Sequence, residues 1–156
     1  MAYLFEIVSL WWTFPAIAIS LLLLRRYGPR AIITIKRIFR GEWSDIPPSS
    51  WINLGIAVCF FGSIVDNAYW LIPWSIKYAT FDHSFLFDFG VYINVPFRQV
   101  PLILGAILHV FAEALKHREP AQKEKRMKAL VRTFWISAII GAIYVLILTI
   151  YRVMFS

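Results

Sequence analysis

A single cysteine, Cys59, is all the thiol the sequence holds, which excludes an intrachain disulfide, a Cys-pair redox site and a cysteine-based zinc signature. Acidic residues are scarce as well, nine Asp and Glu against sixteen Lys and Arg, and charged residues make up only 16% of the 156 residues. Soluble domains average about 25% charged, so the chain has too little charge to coat a water-facing globule and far too little to stay unfolded. The seven glycines form no phosphate-cradling loop, and no nucleophile elbow or histidine-glutamate zinc motif is present. The positive balance does not point to nucleic acid, because the basic segments lack the aromatic platforms and basic folds that such binding uses.

What the chain has in quantity is hydrocarbon. Residues of the set AVILMFWYC make up 60% of it, with seven Trp, seven Tyr and thirteen Phe. A bilayer core about 30 Å thick is crossed by roughly 20 apolar residues in a helix, since a helix satisfies its own backbone in lipid. Four windows qualify, at about 3–24, 51–72, 95–115 and 133–151. A transmembrane barrel would alternate apolar and polar positions, whereas these windows are apolar on nearly every side. The expected fold is all-α: a polytopic membrane protein, one domain of four transmembrane helices over residues 1–156, with no internal repeat.

Lys and Arg are distributed unevenly between these windows. Residues 25–50 carry six and residues 116–132 carry seven, against Lys77 alone between the second window and Val95. Short basic loops stay on the cytoplasmic side, so both termini and the second loop are expected outside, in a bacterial inner membrane. The first window reads as a retained anchor, because it opens with Glu6 instead of a basic cluster and is too long for a cleavable leader. Pro29 to Arg40 reads as a short amphipathic helix on the inner surface, and Pro47 to Ser50 as a rigid turn. Residues 119–132 read as a charged connector broken by Pro120. The aromatic stretch from Pro73 to Pro96 reads as an outer loop held at the headgroup level. The expected partners are the bilayer itself, anionic lipids at 25–50 and 116–132, and copies of this chain or other membrane proteins.

Helices in lipid choose their contact faces through small residues and polar residues. Gly55, Cys59, Gly62 and Asp66 share one stripe of the second window; Arg98, Gly105, His109 and Glu113 share one of the third. The first offers Glu6, Ser9, Thr13, Ala16 and Ser20, and the fourth Ser137, Gly141 and Tyr144. Counting helix rise from the cytoplasmic ends puts Glu6 at about 27 Å, Asp66 at about 22 Å and Arg98 at about 26 Å. An ionised group in a span needs a partner or water, so Arg98 is expected to bond Asp66, with Glu6, Asn67 and Gln99 close by; snorkelling of Glu6 and Arg98 to the headgroups is the plainer alternative. His109, Glu113 and His117 form a second group near the inner end. A structural Glu113–His117 pair is expected there, ahead of a proton relay, and no metal or cofactor site is expected, since a metal needs three or four ligands.

These features point to a non-enzymatic protein acting by helix assembly within the bilayer. In its most concrete form this is a membrane-permeabilising protein similar in size and span content to the phage holins, although the chain lacks their charged C-terminal tail. A small transporter, or an accessory subunit using the intramembrane polar groups, is the alternative. A lipid-modifying enzyme with His109 and Glu113 as acid and base is a third.

Overall fold

A computed structural model of the chain describes residues 2–79, 99–115 and 120–155. Every regular element among them is helical: α1 Ala2–Phe39, α2 Pro48–Ala79, α3 Val100–Ala114 and α4 Pro120–Phe155. Three of the four are long and apolar enough to cross a membrane; α3, with 15 residues, is the shorter apolar helix. At ~1.5 Å per residue α3 covers only about 22 Å.

The outer faces are far more apolar than those of a soluble protein, and several small polar residues lie inside. Ser20, Ser63, Asn67 and Ser137 are buried, while Phe61, Ile72, Ile107, Ile139, Ile143 and Ile147 are exposed. Burying small polar groups while exposing branched hydrocarbon is unfavourable in water and favourable in lipid, where polar contacts are the cohesive ones. The chain is a membrane helical bundle.

Helices α1 and α2 form the central pair and run antiparallel. Leu23, Tyr27 and Ala31 of α1 pack with Ile56, Ala57 and Phe60 of α2 at one end, and Leu10 packs with Trp74 and Tyr78 at the other. Helix α3 lies along α2, and α4 lies chiefly along α1; α3 and α4 hardly touch. Close packing at these seams falls on glycines. A Cβ on Gly105 would stand 3.1 Å from both Cys59 Cβ and Phe60 Cζ, so α3 sits on α2 there with no room for a side chain. Gly55 faces Leu108 and Gly62 faces Pro101 along the same seam.

The α1–α4 seam has a reciprocal lock. Pro15, inside α1, has no N–H to give to the carbonyl of Trp11 one turn earlier. That oxygen faces Gly141, where a Cβ would meet it at 2.9 Å. In return, the indole N–H of Trp11 donates to the carbonyl of Ala138 at 2.8 Å.

Pro48 to Ser50, read as part of a rigid turn, form the first turn of α2, and the helices differ from the sequence reading in three further places, each time because packing overrides a local signal. No separate surface helix begins at Pro29: α1 is continuous for 38 residues through Pro15 and Pro29. Ser20, Leu23, Tyr27, Ala31 and Thr34 are buried along one stripe, so the basic extension is carried by the same face that packs α1 on α2. Helix α2 does not stop at Pro73 but runs on to Ala79, since Trp74 and Tyr78 bury themselves against Leu10 and Val145. Residues 120–132 are no connector. Pro120 opens α4, at a position where its missing N–H costs nothing, and Lys128 pairs with Glu124 one turn back at 2.7 Å. A glycine with positive φ, Gly41 (77°), follows the end of α1, a conformation that favours a residue without a Cβ.

Candidate functional site

Arg26 and Tyr27 stand on α1 where its apolar stretch gives way to basic residues, and Tyr27 is fully buried. Its hydroxyl forms a hydrogen bond with Nδ1 of His109 on α3 at 2.7 Å and donates to Oε1 of Glu113, one turn further on, at 3.4 Å. The same carboxylate oxygen accepts from Nη2 of Arg26. The other, Oε2, accepts from Nη1 of Arg126 on α4 at 3.3 Å. Glu113 therefore ties three helices together, with a guanidinium on either side and both oxygens in use.

This geometry follows from helical spacing. His109 and Glu113 lie four residues apart, hence one above the other on α3, and they meet neighbouring residues of α1 at the level of Tyr27 and Arg26. The rings of Tyr27 and His109 meet edge to face, with centroids 5.6 Å apart. Arg26 and Glu113 are each about a fifth exposed. At that burial, a carboxylate between two guanidiniums gains attraction that water screens only in part. Around this single carboxylate stand Arg26, Arg126 and Lys123, which line one cleft with it; Arg25 and Arg30 join Arg26 and Arg126 around an adjoining one. The basic end carries an excess of positive charge.

Toward the middle of the bundle, Ser20, Ser63 and Asn67 make contacts between neutral groups. Ser20 of α1 donates to the hydroxyl of Ser63 on α2 at 3.1 Å, and Asn67 donates to the Ser63 carbonyl at 2.8 Å. Beyond them, Asn67 and Gln99 line a cavity of about 190 Å³ together with Ser9 and Thr13, and Trp12 donates to the Gln99 side-chain carbonyl at 3.2 Å. At the far end, Tyr144 donates to Ser75 at 2.7 Å, Tyr78 and Thr149 share a hydrogen bond of 2.8 Å, and the Arg152 guanidinium lies 4.9 Å from the centre of the Tyr78 ring.

Of the residues singled out in the sequence, His109 and Glu113 come together, and so do Asn67 and Gln99. Gly55, Cys59, Gly62 and Gly105 lie at the α2–α3 contact, and Gly141 lies at α1–α4. Asp66 is half-buried on α2. Arg98, His117 and the side chain of Glu6 lie outside the described residues, and with them the expected Arg98–Asp66 and Glu113–His117 pairs.

Sequence reasoning missed Arg26, Tyr27 and Arg126. It read Arg26 and Arg126 as parts of basic loops, yet the depth count applied to the opposite end would have put Arg26 level with Glu113. Arg152 was likewise read as lying past its span, whereas it is buried against Tyr78.

No group of three His, Cys, Asp or Glu among the described residues is placed to hold a metal ion. The sequence matches no known family model, and neither a curated protein nor a solved structure is similar to it.

Proposed function

We propose that the chain crosses a bacterial inner membrane four times and works, without catalysis, as a small transport-type protein or an accessory subunit of a larger membrane complex, through its inward-turned polar groups. Both termini lie outside, and the basic stretches 25–50 and 116–132 lie against the anionic headgroups of the cytoplasmic face. What supports this topology is the gathering of Arg25, Arg26, Arg30, Lys123 and Arg126 at one end of the bundle, as short basic segments held on one side require.

The observation that carries the functional reading is the Arg26–Glu113–Arg126 bridge with its Tyr27–His109 arm. Ionisable groups are costly within spans and mark working sites there. Ser20, Ser63 and Asn67 continue the polar interior toward Gln99, with Asp66 next to Asn67 on α2. A holin-like permeabilising assembly instead needs polar faces turned outward to line a shared lumen. In this bundle the outward faces carry Ile107, Ile139, Ile143 and Ile147, which suit contact with lipid or with another apolar helix.

Expression in bacteria carrying a membrane-potential dye tests the choice. Continued growth at full potential under strong expression is expected. Collapse of the potential would overturn the accessory reading in favour of the permeabilising one.

A further inference from the structure

The seam that α3 and α4 leave open has a definite chemistry. Its deeper part is a cleft of about 390 Å³ with Phe60 and Leu23 as its floor and Leu102, Val110, Phe134 and Trp135 as its walls. A second cleft of about 310 Å³ shares Val110, His109 and Leu130 with the first and continues it to the basic end, where Arg26, Lys123 and Arg126 surround Glu113. The two make one groove, hydrocarbon at mid-depth and cationic at its end, running along about 16 Å of α3 from Leu102 to Glu113. Because α3 and α4 hardly touch, it opens sideways to whatever surrounds the bundle.

We infer that this groove is a binding site for one anionic diacyl phospholipid, with an acyl chain against Leu102, Val110 and Trp135 and the phosphate held by Arg126, Lys123 and Arg26. The inference goes beyond the functional reading above and does not depend on it. An apolar cleft left empty forfeits dispersion contacts along its whole lining, and in a bilayer the molecule at hand is a lipid tail. Charge selects the headgroup: three cations face one carboxylate, so an anionic phosphate improves the balance where a zwitterionic lipid adds a further cation. Each guanidinium has five donors, of which Glu113 takes one from Arg26 and one from Arg126. Arginine pairs with phosphate through two parallel hydrogen bonds, and basic pockets between membrane helices are the usual form of anionic headgroup site. Tyr27, itself hydrogen-bonded to His109, donates to Glu113 from α1.

The full-length protein, purified in a mild detergent, is titrated with phosphatidylglycerol or phosphatidylcholine of matched chains and read by native mass spectrometry. One phosphatidylglycerol per chain is expected, retained at least tenfold better than phosphatidylcholine. The double variant Lys123→Gln/Arg126→Gln should lose that preference at least fivefold with helix content unchanged. Ala106→Phe, which puts a ring into the apolar half, should reduce retention of both lipids, and Lys128→Gln, an exposed site, should change nothing. Lys123→Gln alone, which leaves the Glu113 bridge intact, should still weaken phosphatidylglycerol retention if the double variant fails to fold. Equal retention of the two lipids would overturn the proposal, as would indifference to the Lys123 and Ala106 changes. So would displacement of the lipid by inorganic phosphate or by a second copy of the chain.

Discussion

The two ends of the bundle solve the same problem with different chemistry. At the basic end three helices are joined through one carboxylate between two guanidiniums, with a tyrosine and a histidine beside it. At the opposite end the joints described above are hydroxyl contacts, Tyr144 with Ser75 and Tyr78 with Thr149, with the Arg152 guanidinium over the Tyr78 ring. A hydroxyl pair tolerates the loss of one member, because the remaining group is neutral and can turn to a backbone carbonyl. An ion pair does not, since removing one charge strands the other in a poorly solvated place. Among the described contacts, the bundle is therefore braced by ion pairs at one end and by hydroxyl and cation–ring contacts at the other.

The largest effect should come from breaking the ionised end. Glu113→Ala leaves Arg26 and Arg126 facing each other without an anion, and a loss of about 3 kcal/mol is expected from the cost of stranding partly buried charge, measured by reversible unfolding in mixed micelles. Gly141→Ala comes next, because its new methyl would press on the Trp11 carbonyl; about 1–3 kcal/mol is expected for such overpacking. Tyr27→Phe keeps the ring and removes only the hydroxyl that meets His109, costing about 1 kcal/mol. Tyr78→Phe, its counterpart at the hydroxyl end, should cost only about 0.6 kcal/mol, the average for polar contacts between membrane helices. The comparison would lose its meaning if Tyr78→Phe proved as damaging as Glu113→Ala.

The helical, membrane-embedded character of the chain was legible because it rests on composition and on apolar runs, which no tertiary contact can undo. The ends of the helices were not. Pro29, Pro73 and Pro120 look like breakers in sequence, but whether a proline ends a helix depends on what the residues after it can pack against, here Ala31 on α2 and Tyr78 on α1. The site was half legible. His109 and Glu113 stand out because ionisable residues within an apolar window are rare, and their four-residue spacing already puts them on one face. Their partners do not stand out: Arg26 and Arg126 sit in basic stretches where every neighbour is equally charged, and only the approach of α1, α3 and α4 picks out two of them. Ser20 and Ser63 illustrate the same limit, being ordinary serines until their helices cross.

The central claim is that the ionised groups of this bundle hold one another across helices. A double-mutant cycle on Arg26→Gln and Glu113→Gln, read by reversible unfolding in mixed micelles, tests it most directly. The account predicts a coupling of about 1–3 kcal/mol, the double variant being less impaired than the two single losses add up to. Strict additivity would contradict it.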